Sequence, residues 1–302
     1  MLLASEYELL REDAGALERT RGKLVLDGSE AADFLQGQVT NDVEGLAPGT
    51  GCYALLLNHK GKVRVDMRVL RGEGWIWIDC AKGALPVLEH MIRTYGIGRD
   101  IGMRDVTGER TLVSVLGPKA REALGVEVPA EEHAFVAQGD ALYVSTDVGV
   151  DVIRPAEAAP LEVPEVSEDA AELLRIECGR PRFGFDFGSD TIPQEADLNE
   201  RGVSFTKGCY VGQETVARLH YKGKPNRHLR GLRLSDPAER GTELRLGERV
   251  VGTIGSSAVS PVHGPIALAL VRREAEPGAV LEVGDGATTA EVIELPFRRI
   301  AG

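Results

Sequence analysis

The sequence predicts an α+β chain that closes with a small β-barrel. Three observations predict it. Residues 51–80 alternate apolar and polar side chains in runs separated by Gly-bearing turns, the mark of an antiparallel meander. Helical periods interrupt the strands up to residue 178. From Arg227 onward only short strands with Gly and Pro turns remain. The 302 residues correspond to about two domains at about 150 residues each. With 43% hydrophobic and 27% charged residues, the chain is neither disordered, collagenous nor coiled-coil.

The elements follow in order. Ser29 opens GSEAADFLQGQVTND, a short helix with an acid in its first turn and Gly37 near its end. CYALLLN, KVRVDMRVL and WIWIDC form three strands; Val63, Val65, Met67 and Val69 share one face of the second. AKGALPVLEHMIRTYG is an amphipathic helix with Leu85, Leu88 and Ile92 on one side and Pro86 in its first turn. RTLVSVLG is a strand, and PKAREALG a helix that starts at Pro118 and ends at Gly125. AFVAQ and ALYVSTD make a hairpin about Gly139 and Asp140. Pro155, Pro160 and Pro164 mark a crossing between lobes. Ser167 caps the helix EDAAELLRIEC, which Gly179 and Pro181 close. Residues 182–224 are rich in Gly, polar and aromatic residues, lack a strong period and read as loops with short elements. HLRGLRL, TELRLG, ERVVGTIGS, IALALVRRE, AVLEVG and TTAEVIELPF supply the barrel.

The first residues show no basic, then apolar, leader pattern, and no run reaches the roughly 18 apolar residues of a membrane span. Cys52, Cys80, Cys178 and Cys209 form no CxxC pair, so a zinc knuckle or dithiol motif is unsupported, and no metal ligand set is expected. A cytoplasmic protein with reduced thiols is expected. The formal charge of −12 argues against direct nucleic-acid binding by the surface as a whole. Six Lys and Arg crowd residues 218–233 with no acid among them (Arg218, Lys222, Lys224, Arg227, Arg230, Arg233), while the rest of the chain carries 29 against 47 acids. That run is a solvated strand and turn, an anion site, or a tRNA or other nucleic-acid contact, the last with only Tyr210 and Tyr221 beside it as a stacking platform. No P-loop, GxGxxG after a strand, or GxSxG occurs.

The densest chemistry lies in VSFTKGCYVGQETVARLHYKGK, residues 203–224. Gly208 and Gly212 allow close backbone approach. Lys207 stands two residues from Cys209, a spacing at which an ammonium favours thiolate. Gln213 and Glu214 add polar groups. A tight turn around a buried, inert thiol is the competing reading.

Lys207-Gly208-Cys209-Tyr210-Val211-Gly212-Gln213-Glu214 resembles the KGCxxGQE signature of the YgfZ proteins, folate-binding relatives of the glycine cleavage T-protein (aminomethyltransferase). LQGQVTND, GCYALLLNHKGKVRVDMRVL, LRIECGRPRFGFDF, IPQEADL, VGTIGSSAVSP and IALALVRRE resemble further family segments in the same order. The resemblance implies a folate-binding region over 1–224, with a ferredoxin-like insert at about 50–150, and a C-terminal barrel over 225–302. It implies tetrahydrofolate or a one-carbon derivative as ligand, and assembly or repair of iron–sulfur clusters in client enzymes. It places the pterin on Glu177, where a carboxylate offers two acceptors to adjacent N–H donors. Gly208, Gly212, Gln213, Glu214, Arg218 and Tyr221 would border the folate, with its glutamate tail toward the basic run. Cys209, Lys207 and Asp66 would carry any chemistry, Cys209 as nucleophile, redox thiol or transient cluster ligand. A one-carbon transferase of the T-protein type is the alternative. It requires an acid near Asp66, where the T-protein has two and this sequence has Val65-Asp66; a solvent-face acid is the plain reading of Asp66. Asn41 and Asp42 are turn residues or ligand contacts.

Overall fold

The computed structural model describes residues 2–298. Helix α1 (Leu2–Glu12) leads into strands β1 (Gly15–Glu18) and β2 (Arg21–Asp27), then α2 (Ala31–Gln38). The meander is β3 (Thr50–Leu57), β4 (Val63–Arg71) and β5 (Trp75–Ala81), followed by α3 (Leu85–Tyr95) and β6 (Gly102–Asp105). After it come β7 (Arg110–Leu116), α4 (Ala120–Leu124), β8 (Phe135–Gln138), β9 (Ala141–Thr146), β10 (Gly149–Pro155) and α5 (Glu168–Glu177). The stretch that lacks a period holds α6 (Asn199–Gly202) and a full ten-residue helix, α7 (Gln213–Lys222).

Two five-stranded antiparallel sheets result, in the orders β3-β4-β5-β2-β6 and β1-β7-β10-β9-β8. Residues 50–150 therefore supply strands to both sheets, and β1 and β2 complete one sheet each. Alternation on β4 decides what lies where. Val65, Met67 and Val69 pack with Phe34 and Leu35 of α2 and with Leu88, Met91 and Ile92 of α3. The opposite side of β4 is covered by the second sheet: Leu70 and Trp77 meet Leu112, Val144 and Ile153. Truncating fully buried Leu70 to alanine would cost about 2–5 kcal/mol.

Helix α5 joins the lobes. The Ser167 hydroxyl accepts the Ala170 N–H at 3.3 Å, so the predicted cap is present. Ala170, Ala171 and Leu174 pack on Leu10 of α1 and Leu116 of β7. Leu173 and Ile176 pack instead with Tyr7 of α1 and with Leu229, Ile266 and Leu268 of the barrel. The barrel is closed by six strands: β11 (Arg227–Leu234), β12 (Glu243–Leu246), β13 (Arg249–Ser260), β14 (Gly264–Arg272), β15 (Val280–Val283) and β16 (Thr288–Ile293). They run in the order β11-β14-β13-β12-β15-β16, which leaves no unpaired edge.

Candidate functional site

A cavity of about 650 Å³ lies between the two sheets and α5. That is the size range of pockets that take small molecules. Its walls are set by strand period. Asp66 and Arg68 share the face of β4 that bears Leu70, so both point toward the second sheet. Asp79 of β5, Ser114 of β7 and Asp151 of β10 meet them from either side, and α5 adds Glu172 and Arg175.

The two sheets are tied across this space by Arg68. Its Nε donates to Asp79 Oδ2 at 2.8 Å and its Nη1 to Asp151 Oδ2 at 2.6 Å. Arg21 Nε reaches Asp79 Oδ1 at 2.9 Å, and Trp77 Nε1 reaches Oδ2 at 3.1 Å. Ser114 Oγ donates to Asp151 Oδ1 at 2.6 Å. Burial alone would raise the Asp79 pKa, but Arg68 and Arg21 outweigh it and hold the carboxyl at about 2. Asp66 accepts from the Tyr53 hydroxyl at 2.9 Å. Burial, and then the Asp66 charge, push that phenol upward. Arg201 lies over the Tyr53 ring, 5.3 Å from its centroid. Farther out, Arg19 pairs with Glu168 at 3.4 Å and donates to Ser114 Oγ at 3.2 Å, and Arg182 pairs with Glu172 at 3.4 Å and Glu168 at 3.7 Å. Such partly exposed pairs contribute little.

Of the site residues expected from sequence, Asp66 lines this cavity and the others do not. Glu177 follows Arg175 by two residues, which turns it about 200° around α5 and away from the cavity. It is fully buried in the seam with α1 and the barrel. There Oε1 accepts from Tyr7 Oη at 2.8 Å and Ser260 Oγ at 2.6 Å.

The 207–222 segment sits on the β3–β4 turn and the end of α2. The Lys207 ammonium donates to three backbone carbonyls there: Gln36 at 2.5 Å, Val39 at 2.8 Å and Asn41 at 2.9 Å. It thereby satisfies carbonyls that the end of α2 leaves open. Burial lowers its pKa to about 8. Gly212 has φ 84°, and a Cβ there would lie 2.5 Å from the Asn58 carbonyl oxygen, so only glycine fits against the turn. Gly208 is exposed, with open space beside it. Gln213 and Glu214 begin α7. Arg218 and Tyr221 project from α7, and Tyr221 meets the His220 ring edge-on at 4.8 Å.

Cys209 is the one exposed cysteine of the four. Cys52, Cys80 and Cys178 are buried, and burial pushes each thiol up to about 12. The basic run divides. Arg227 is paired with Asp190 at 2.8 Å and Glu195 at 2.9 Å, whereas Arg218, Lys222 and Lys224 are exposed. Asn41 Nδ2 donates to the Tyr53 carbonyl at 2.8 Å, and Asp42 Oδ1 accepts from Gln36 Nε2 at 2.9 Å.

Sequence reasoning missed Arg68, Asp79, Asp151 and Tyr53. The β4 period that orients Asp66 also orients Arg68 and was the available signal. Nothing in the sequence pairs β4 with β10. Among the described residues, no group of three or more His, Cys, Asp or Glu could hold a metal ion, and no helix is long and apolar enough to cross a membrane.

Residues 2–138 match the GCVT N-terminal domain family, and residues 227–298 match the glycine cleavage T-protein C-terminal barrel domain. The chain is 31% identical over 295 residues to the tRNA-modifying protein YgfZ of Escherichia coli K12, covering 90% of this chain and 89% of that protein. The same figures hold for YgfZ of Shigella flexneri. The glycine cleavage system aminomethyltransferase T from Bartonella henselae superposes with a TM-score of 0.88 at 22% identity, over 99% of this chain and 90% of that one. This likeness shows a common fold.

Proposed function

The chain belongs to the YgfZ family, within the T-protein fold, and from that premise we propose that it binds tetrahydrofolate or a one-carbon derivative in the central cavity. We propose further that it assists assembly or repair of iron–sulfur clusters in client enzymes. The single observation that carries the reading is the cavity itself, about 650 Å³ between the two sheets and α5. Asp66 and the neighbouring polar wall would meet the pteridine. Arg19 and Arg182, loosely paired and half-exposed, suit the carboxylates of the glutamate tail better than the basic run, which does not line the cavity. Cys209, the exposed cysteine, would be the thiol presented to clients. The YgfZ relatives are named for tRNA modification; clients that modify tRNA would join the two roles. A single cysteine cannot hold a cluster that uses about four ligands, so any cluster contact is transient.

The test is titration with tetrahydrofolate. Saturable binding in the wild type, weakened at least about fivefold in Asp66→Ala and kept in Cys209→Ser, is expected. Absence of saturable binding, or loss in Cys209→Ser with retention in Asp66→Ala, would remove the assignment. In cells, Cys209→Ala should fail to restore client cluster-enzyme activity; full rescue would exclude thiol chemistry.

Asp66 in the cavity also favours a second reading, one-carbon transfer with Asp66 as the working acid. Against it, the neighbouring position is Val65, fully buried in the core beneath α2 and α3. Turnover of an N-methyl or aminomethyl substrate, lost in Asp66→Asn, would establish it.

A further inference from the structure

Three nitrogen atoms at the cavity wall are buried without a hydrogen-bond partner, two on His133 and one on Arg68. His133 is only 9% exposed. Neither Nδ1 nor Nε2 has a partner; Glu132 Oε1 stands 3.6 Å from Nε2 and is engaged by Arg201. Arg68 is 6% exposed, commits Nε and Nη1 to Asp79 and Asp151, and leaves Nη2 unused. Thr146 Oγ1 on the same wall also lacks a partner; buried polar atoms in native proteins are almost always paired, so four orphans on three residues of one wall call for a reason.

The backbone sharpens the point. His133 has φ 70°, in the left-handed region that side chains other than glycine seldom adopt. It is held there by its N–H to the Ser145 carbonyl at 2.8 Å and by the Ser145 N–H to the Ala134 carbonyl at 2.8 Å. Strained residues of this kind cluster at ligand sites. Burial first, then Arg68 and Arg201, keep the imidazole pKa down at about 3, although Asp79 and Asp147 oppose them. The ring is therefore neutral and offers one N–H donor and one bare nitrogen acceptor. With Arg68 Nη2, which is covered as the ring nitrogens are, the two residues hold a pattern suited to an uncharged edge in which a carbonyl oxygen neighbours an N–H, and a ligand must uncover it. A cation would meet Arg68, and an anion would leave the bare nitrogen unused.

We propose that His133, beside Arg68, reads the lactam edge of the pteridine, the C4 carbonyl and its adjacent N3–H. The inference rests on folate binding in this cavity. Both ring nitrogens are covered here, so the uncovered 11% of the side chain is carbon. A half-turn about the Cβ–Cγ bond exchanges nitrogen for carbon positions in the ring, and that turn accompanies ligand entry.

The test compares tetrahydrofolate with its 4-amino-4-deoxy analogue, which puts a donor where the carbonyl was and removes the N3 proton. Wild type should bind tetrahydrofolate about tenfold more tightly, the scale of one buried hydrogen bond. His133→Phe and His133→Asn should bring the ratio below about threefold. Asparagine tolerates the left-handed backbone, so the second variant should keep its melting temperature within about 2 °C and separate contact from folding. Should both variants fold poorly, ¹⁵N-histidine spectra of the wild type give the answer, because the His133 ring resonances must move on adding tetrahydrofolate. Tight tetrahydrofolate binding with an unchanged ratio in the variants, or with unmoved ring resonances, overturns this inference and leaves the folate reading standing. No tetrahydrofolate binding to the wild type overturns both.

Discussion

Replacing Lys207 with methionine distinguishes a structural ammonium from one that tunes a thiol. The side chain keeps its length but loses all three bonds to the Gln36, Val39 and Asn41 carbonyls. A hydrogen bond from a charged donor is worth about 1.5–3 kcal/mol. Lys207 is only partly buried, so about 1 kcal/mol per bond is the sounder figure, or about 3 kcal/mol in total. At about 2–4 °C per kcal/mol for a domain of this size, the melting temperature should fall by about 6–12 °C. Scanning calorimetry reads this directly. The rate at which iodoacetamide alkylates Cys209 at fixed pH, followed by peptide mass analysis, supplies the second readout and should change less than about twofold. A melting temperature within 2 °C of wild type, together with alkylation slowed tenfold, would refute the argument and return Lys207 to the role of thiol activator.

Three further outcomes are expected. Asp79 has a folded-state pKa near 2 against an ordinary value of 3.8, so its contribution is fully present above pH 4 and is lost as pH falls through 2. That contribution is about 2 kcal/mol, and acid unfolding of Asp79→Asn should lack this step while starting from a lower stability, because Arg68 is left buried beside one partner. Under native conditions Ellman's reagent should titrate one thiol per chain quickly, and four after denaturation; two or more fast thiols would contradict the burial of Cys52, Cys80 and Cys178. Glu177→Ala strips the Tyr7 and Ser260 hydroxyls of their acceptor and should cost about 3 kcal/mol in urea unfolding. Tetrahydrofolate affinity should stay within about twofold of wild type. Glu177→Gln keeps an acceptor and should lie between; a tenfold affinity loss in the glutamine variant at unchanged stability would make Glu177 a ligand contact after all.

How far the sequence could be read follows from the range of each signal. The meander, the Ser167 cap and the barrel strands are local patterns, and the structure contains each of them. Helix α7 hid because Gly212 and Gly223 bound a polar segment in which Val216 is the one fully buried side chain, too few apolar residues to set a period. The cavity hid for a different reason. Its wall joins β4, β5, β7, β10 and α5, and no local pattern says which strand faces which. Asp66 reads equally as a solvent-face acid until the second sheet covers its side of β4.

What the motif marks is thus one end of a connected structure. Lys207 bonds the Asn41 carbonyl, Asn41 Nδ2 bonds the Tyr53 carbonyl, and the Tyr53 hydroxyl bonds Asp66 in the cavity. Asn41, by its pattern a turn residue or a ligand contact, is the joint between the loop that carries Cys209 and the wall that carries Asp66. The hairpin of β3 and β4 serves both, with Gly212 seated on its turn and Tyr53 and Asp66 on its strands. A signature confined to eight residues could report the exposed thiol and its clamp, but the pocket behind them exists only once two sheets have closed on Arg68.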